Sequence, residues 1–524
     1  MSYWGTQMRS IVTSTFHDSM SIDHYTRLAK YREYWLYYLS KHWSYSRDPG
    51  DPTITINYSR RVVDIANNFT FKKGFIVKIP DDPSTPANEA EDREFVRVML
   101  EETWEKNSRL LWLIEASQQG AVTGDLFARV SWENNDLLEE PYAKIDIIPS
   151  HLCFPEFGGP SGVERKKLKR IMILTPIYER CHLPQKPSFT FPHYGTNFDT
   201  AIMQEIWTAP DYHPDGSIKN YATVQYFRNN EPLGPPLINP IGEIPVVHIP
   251  NYPLSGESYG ISDMVDIIEL NRELNEKATD ISDVISYHGS PVTILKGAKL
   301  KDLERGANKV WAIPGDGDVK NLELSGDLSA SVNHWKMIKE SLLELAGIPE
   351  EVLGKVQAAS NASGVALAIR YMPLMEKYHI KTLIYGLGLR LINRLIMKIT
   401  AIGDPAFGEK FNSLYQGNKY RNNVVFPDPM PMDEAVELEK ARARLDLLLS
   451  TRREELEKMG KSQGEIEKIM QDIRNEAEEM NEMMFDMPKI ERGKTQNMRG
   501  GVPEVRAQKV SNTAAKKTLS FSDE

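Results

Sequence analysis

The stretch from Gly242 to Gly364 decides the fold. It begins GEIPVVHIPNYPLSGESYGISDMVDIIELNRELNEKATDISDVISYHGSPVTILKG and ends WKMIKESLLELAGIPEEVLGKVQAASNASG. Apolar spacing and the Gly and Pro turn signals predict a strand, a long helix, a small insert, a second helix and a flexible loop, in that order. The rest of the chain is organised around this succession.

The first long helix of this stretch is expected from Ile261 to His288, with Gly289-Ser290-Pro291 as its stop signal. A row of carboxylates runs along it, three or four residues apart, which would place them on one helix face. The row consists of Asp263, Asp266, Glu269, Glu273, Glu276, Asp280 and Asp283. Such a row is either a solvated face or a wall that repels a polyanion, and the periodicity by itself favours the solvated face.

The order of these elements resembles the core of tailed-bacteriophage portal (connector) proteins. In that family the chain ascends one stem helix, forms a small clip domain, returns by a second stem helix, and passes through a tunnel loop into a long kinked helix. The matching pieces are Glu243–Pro250, Tyr259-Gly260-Ile261-Ser262-Asp263, Asn271–Asn275, Gly289-Ser290-Pro291, Ala346-Gly347-Ile348-Pro349 and Ser363-Gly364-Val365-Ala366-Leu367. The resemblance covers roughly residues 50–430.

The resemblance implies an α+β, multidomain portal fold with a wing, stem helices, a small α/β clip, a long kinked helix and a helical C-terminal crown. The expected divisions are 1–255 wing, 256–289 first stem helix, 290–329 clip, 330–347 second stem helix, 348–363 tunnel loop, 364–431 long kinked helix and return to the wing, 432–486 crown, and 487–524 a basic, disordered tail.

Composition narrows the class of function. The 524 residues carry a net charge of -10, which argues against a protein that coats nucleic acid, because such binders show a basic footprint. Two cysteines make no disulfide framework, so a reducing compartment fits. No secretory signal is visible at the start, and charges interrupt the most apolar helix, so no membrane span is expected.

Several elements outside the opening stretch are also predicted. Residues Ile22–Trp43 should form a helix whose aromatic face packs on the body of the protein. One helix is expected over Glu91–Gln118 and a strand over Gly120–Trp132. Val365–Ile402 should be one long amphipathic helix that packs on the wing, with a kink near Pro373. Its apolar row is Leu383, Leu387, Leu391 and Leu395, with Ile384, Ile392, Ile396 and Ile399 beside it.

Three further sets of residues are candidate sites. The tunnel loop offers Lys355, Gln357 and Asn361, of which Lys355 could touch phosphates or be a lone exposed lysine. The insert has a basic edge that either docks an acidic partner or is a solvated face, formed by Lys296, Lys299, Lys301 and Arg305. The pairs His151 and Cys153, and Cys181 and His182, have ligand types that suit zinc, but their spacing favours buried strand residues. No metal site and no cofactor are therefore predicted.

No nucleophile, base and orienting group stand out together, and no phosphate-binding glycine loop is present; Gly460-Lys461-Ser462 lacks the first glycine of that motif. The resemblance implies a structural subunit, not an enzyme: a dodecameric ring at one capsid vertex of the virion, assembled in the host cytoplasm. Double-stranded DNA would pass through it, and its partners would be the terminase motor, head-completion or adaptor proteins, and major capsid and scaffolding proteins. The alternatives are a non-ring head scaffold or adaptor, and, less favoured, a metal-dependent DNA-processing enzyme.

Overall fold

The computed structural model describes most of the chain. The described residues are 22–43, 53–80, 88–133, 141–158, 167–179, 199–213, 215–289, 293–296, 318–321, 328–354, 364–409, 421–430, 434–459, 461 and 463–485. They form two compact units, Met1–Arg444 and Leu445–Glu524. The mixture of helices and antiparallel sheets confirms the predicted α+β class.

The helices range in length from seven residues to forty. They are α1 (Ile22–Tyr38), α2 (Tyr58–Phe71), α3 (Asn88–Lys106), α4 (Arg109–Thr123), α5 (Ile268–Gly289), α6 (Leu328–Leu345), α7 (Gly364–Gly403), α8 (Glu434–Asp446), α9 (Arg452–Lys458) and α10 (Gln463–Phe485), with 3-10 turns at Ser150–Leu152 and Glu350–Leu353. The region 432–486, which was predicted to be helical, thus contains α8, α9 and α10.

All strand pairs among the described residues are antiparallel. The strands are β1 (Ile76–Lys78), β2 (Asp125–Glu133), β3 (Tyr142–Ile148), β4 (Cys153–Gly158), β5 (Lys167–Glu179), β6 (Asp199–Thr208), β7 (Asp211–Tyr212), β8 (Ile218–Asn220), β9 (Thr223–Arg228), β10 (Glu231–Pro232), β11 (Leu237–Ile238), β12 (Val246–Pro250), β13 (Thr293–Lys296), β14 (Asp318–Asn321) and β15 (Asn423–Val425). Six of them form one sheet in the order β10-β9-β6-β5-β4, with β11 also paired to β9. Three form a second sheet in the order β12-β2-β3.

The two faces of the three-stranded sheet belong to different cores. Leu126, Ala128 and Val247 face the helices, where they join Trp104 and Leu389 in the largest apolar cluster. The intervening residues on the other face, which include Phe127 and Val246, pack with residues of β4 and β5. This alternation is the period of two that strands impose, and it makes the small sheet the centre of the first unit.

Two predicted boundaries near α4 are wrong. The helix expected over Glu91–Gln118 is broken at Asn107 and Ser108, because Ser108 has a left-handed backbone with φ 53°. The strand expected from Gly120 starts only at Asp125, since Gly120 to Thr123 complete α4 and Gly124 ends it at φ 89°. A side chain at Gly120 would collide with the hydroxyl of Tyr385, so close packing against α7 explains the small residues that resembled a strand pattern.

Helix α5 begins at Ile268, so the expected start at Ile261 is also wrong. The backbone before it bonds elsewhere: the N–H of Asp263 and the hydroxyl of Ser262 both donate to the carbonyl of Ala121, at 2.9 Å. The N–H of Ile261 donates to the carbonyl of Tyr252. The segment 261–267 is therefore hydrogen-bonded to the end of α4 and to the residues just after β12. The regular helix starts only after this segment.

Helix α7 matches its predicted range closely and contains Pro373. The predicted row of leucines does not pack on the sheet, however, because Leu383, Leu387 and Leu391 are exposed. Tyr385, Leu389, Ile392, Leu395 and Ile396 face the core instead. The predicted apolar row is therefore buried only in part: Leu395, Ile392, Ile396 and Ile399 are buried, whereas Leu383, Leu387 and Leu391 are not.

Candidate functional site

The exposed side of α5 carries most of the predicted acidic row. The side chain of Glu269 is 72% exposed and that of Asp280 is 62% exposed. Two cations on the same helix reduce the negative charge: Arg272 pairs with Glu269 at 2.8 Å, and Lys277 lies 3.1 Å from Asp280 and 3.8 Å from Glu273. Carboxylates therefore outnumber the cations along this helix.

Asp263 lies apart from this exposed row. It precedes α5, its side chain is 3% exposed, and its Oδ2 atom accepts a hydrogen bond from Lys381 Nζ at 2.5 Å. Lys381 is fully buried and also donates to the side chain of Asn67 at 3.2 Å. Asp266 also precedes α5 but is exposed. The acidic face of the helix therefore consists of Glu269, Glu273, Glu276, Asp280 and Asp283, with Asp266 just ahead of it.

The ion pair of Asp263 and Lys381 is the centre of a cluster of buried polar side chains. This cluster joins the segment before α5, the segment after β12 and helix α7. Asn251, just after β12, donates to Asp263 Oδ1 at 2.6 Å and accepts a hydrogen bond from the hydroxyl of Tyr385 at 3.2 Å. Burial, reinforced by the charge of Asp263, raises the pKa of Tyr385 and of Tyr252 well above the ordinary value. Both phenols therefore stay protonated and neutral beside the carboxylate.

A second buried carboxylate, Asp125, holds the segment before α5 against β2. It accepts hydrogen bonds from the hydroxyl of Tyr31 at 2.5 Å and from the N–H of Gly260 at 2.9 Å. His248 Nε2 lies 2.7 Å from Asp125 Oδ1, and its ring stacks on Phe127. Asp125 thus ties helix α1, strand β12 and the approach to α5 together.

The buried side of α5 is lined by a ladder of polar side chains one turn apart. Asn271 accepts from the N–H of Ser59 at 2.9 Å and donates to the carbonyl of Ile56 at 2.8 Å. Asn275 accepts from the N–H of Ile56, and Thr279 from the N–H of Ile54. The extended segment before α2 therefore finds its backbone partners on α5, and the ladder fixes which face of the helix remains exposed.

The alternative of a zinc site gains no support from Cys153 and His151, the two of its four possible ligands that the structure describes. Cys153 is fully buried, and burial raises the pKa of its thiol far above the usual range. Burial also lowers the pKa of His151 to about 4, so its ring is neutral at pH 7. Cys181 and His182 lie outside the described residues. Among the residues that the structure does describe, no group of three or more His, Cys, Asp or Glu could hold a metal ion.

The thiol of Cys153 is expected to be inert in the folded protein, since the thiolate is the reactive form and burial disfavours it. In a Cys181→Ser background, we expect no reaction with a chromogenic disulfide reagent at pH 8 over minutes, and one equivalent after denaturation in guanidinium. Rapid reaction of the native protein would contradict the buried position of this side chain.

The other predicted sites lie largely beyond the described residues. Lys296 is exposed at the end of β13, opposite Asp318 of β14. The remaining members of the basic edge, Lys299, Lys301 and Arg305, are outside the described residues, as are Lys355, Gln357 and Asn361 of the predicted tunnel loop. Their roles remain predictions.

Sequence reasoning missed the two buried polar centres. Their members are far apart in the chain: 118 residues separate Asp263 from Lys381, and 135 separate Asp125 from Gly260. The closest thing to a local signal is the position of Lys381 within the apolar helix α7. No helix among the described parts of the chain is long and apolar enough to cross a membrane.

Helices α5 and α6 pack against each other, and the comparison with known families identifies the class of protein. Residues 222–483, half of the chain, match the family of phage portal proteins described as SPP1 Gp6-like. The chain belongs to this family of phage portal proteins. No curated protein matches it individually. The family is structural, so the protein is not an enzyme, and it serves DNA packaging through the portal.

Proposed function

We propose that the chain is one subunit of a closed ring that forms the DNA channel at a single capsid vertex of the virion. Membership of the portal family carries this proposal. The part of the chain built on the six-stranded and three-stranded sheets is the wing. Helices α5 and α6 are the stem, and strands β13 and β14 belong to the clip. Helix α7 is the long helix, and α8 to α10 belong to the crown. A closed ring requires contacts between two different surfaces of neighbouring copies.

The acidic face of α5 supports a channel role. Carboxylates on a channel wall repel DNA phosphates, which shortens contact between the moving duplex and the wall. Because Asn271, Asn275 and Thr279 occupy the opposite side of α5, the ladder prevents the helix from turning this face inward. The face of Glu269, Glu273, Glu276, Asp280 and Asp283, preceded by Asp266, would line the channel.

Partners follow from the same proposal. The terminase motor docks on the clip during packaging. The basic edge of the clip contacts acidic groups of the motor and consists of Lys296, Lys299, Lys301 and Arg305. Head-completion or adaptor proteins replace the motor afterwards, while major capsid and scaffolding proteins surround the wing. In the tunnel loop, Lys355 with Gln357 and Asn361 touches DNA phosphates briefly. A ring of twelve copies is expected.

The ring can be tested directly by negative-stain microscopy of the purified chain. We expect annular particles with a central hole. Compact particles of one or two copies at every protein concentration would favour the non-ring adaptor instead.

Charge reversal tests the channel wall. The triple substitution Glu269→Lys, Glu273→Lys and Glu276→Lys should leave ring formation intact, because α5 keeps its buried ladder. It should reduce packaged DNA at least about tenfold, since three repelling carboxylates per subunit become three cations that bind phosphate. The measurement is nuclease-protected DNA in an in vitro packaging reaction.

A matched control carries the same charge change elsewhere. Glu102→Lys, Asp211→Lys and Glu231→Lys alter three exposed carboxylates of the wing and should package normally. Unchanged packaging by rings of the α5 variant would remove the proposed role of its acidic face.

A further inference from the structure

The outward face of α7 is apolar over most of its length. Leu383 is 66% exposed, and the other large apolar residues on this face are also well exposed. They recur at helical spacing, which places them on one side of the helix. The set, called the leucine face below, consists of Ile369, Met372, Ile380, Leu383, Leu387 and Leu391.

The opposite side of α7 is apolar as well, since Tyr385, Leu389 and Ile392 lie in the main core. A helix that is apolar all round is normally buried all round. Three cations near this side are engaged elsewhere: Arg394 and Lys398 both pair with Glu243, and Arg370 pairs with Glu351. Glu376 is the exposed charge among the apolar residues of this side. The leucine face is thus the side of α7 that the described residues of one subunit leave largely exposed.

The size of this face suits a contact between proteins. From Ile369 to Leu391 the helix rises about 33 Å, and a strip about 10 Å wide gives about 300 Å². The largest apolar patch on an ordinary monomer is about 300–600 Å² and is often an interaction site. A stable interface buries about 800 Å² on each partner, so the leucine face would provide a substantial part of one.

We propose that the leucine face is a subunit contact, covered by a second copy of this chain. This inference rests on the ring proposed above and adds the surface that closes it. In a closed ring each copy contacts the next through two different surfaces, so a neighbouring copy is the occupant that the ring supplies for this face. An area of about 300 Å² fits part of such a contact, which buries about 800 Å² on each partner.

Substitution of two central leucines tests the contact. Leu383→Glu with Leu387→Glu should raise the protein concentration needed for ring assembly at least tenfold, measured by sedimentation velocity or mass photometry. The far-ultraviolet circular dichroism and the melting temperature of the dissociated subunit should not change, because both side chains are already exposed in it. The control is Leu237→Glu with Ile238→Glu, two equally exposed apolar residues on β11, which should assemble like the unmodified chain.

The outcomes separate this inference from the proposed function. If the unmodified chain forms no ring, the ring proposal and this contact both fail. If the unmodified chain forms rings and the Leu383 and Leu387 variant does so at the same concentration, only the leucine-face contact fails. Equal loss of assembly in the β11 control would also overturn the contact, since the effect would then follow added charge rather than position.

Protection of a thiol provides a second, less disruptive test. In a Cys181→Ser background, Leu387→Cys should react with a maleimide at least tenfold more slowly in the assembled ring than in dissociated subunits. Ile238→Cys should react at the same rate in both states. Equal rates at position 387 would overturn the proposal, and so would protection already present in the dissociated subunit, which would mean that another segment of the same chain covers the face.

Discussion

Lys381→Met is expected to lower the free energy of unfolding by about 3–5 kcal/mol, because removal of one partner leaves the other charge buried without compensation. Lys381 is fully buried, and its Nζ atom lies 2.5 Å from the almost fully buried carboxylate of Asp263. Methionine is similar in length to the lysine side chain, so the change removes the charge with little change in packing. Urea unfolding of dissociated subunits, followed by tryptophan fluorescence, measures the loss.

Two comparisons isolate the ion pair. Lys381→Met combined with Asp263→Asn should recover at least half of the loss, since no buried charge then remains and the carbonyl oxygen of the introduced amide can still accept from Asn251. Arg394→Met removes one partner of Glu243 in a half-exposed ion pair and should cost about 1 kcal/mol or less. A loss for Lys381→Met as small as that for Arg394→Met would contradict the buried ion pair.

The same ion pair shows why the acidic row could be only partly predicted. Spacing correctly identified a helix whose exposed side bears Glu269 and Asp280. Spacing also assigned Asp263 to that row, because a periodic pattern contains only local information. The partner of Asp263 is on a helix more than a hundred residues later, and no feature near Asp263 indicates that it pairs there.

Helix α7 illustrates a different limit. Its extent was predicted almost to the residue, because long apolar periodicity and flanking turn residues are local signals. Its buried side was predicted only in part, since apolar residues occur on every side of the helix. The buried side is the one that carries Tyr385, Lys381 and Asn393, whose polar groups all find partners across the core. Only tertiary contacts decide this choice.

Gly260→Ala is expected to cost about 3 kcal/mol or more, the upper part of the range for overpacking in a rigid interior. An added Cβ would lie 2.2 Å from the carbonyl oxygen of Gly124 and 2.7 Å from the backbone nitrogen of Asn251. Both obstacles are backbone atoms, so no side-chain rotation relieves the clash. The segment would have to move away, which would break the hydrogen bond from the N–H of Gly260 to Asp125, at 2.9 Å.

A glycine in open space provides the control for this substitution. Gly234 has no atom within 4 Å of an added Cβ, so Gly234→Ala should change the free energy of unfolding by less than about 0.5 kcal/mol. Both variants can be compared by urea unfolding of dissociated subunits.

The same substitution should also affect ring assembly, because Gly260 fixes the approach to α5 against β2. Gly260→Ala subunits that still fold should hold α5 in a less uniform position. Rings formed from them should be fewer and more irregular in negative stain. Equal stability of the two variants would mean that the segment before α5 can shift freely, and that the close approach of Gly260 to Gly124 does not position the stem.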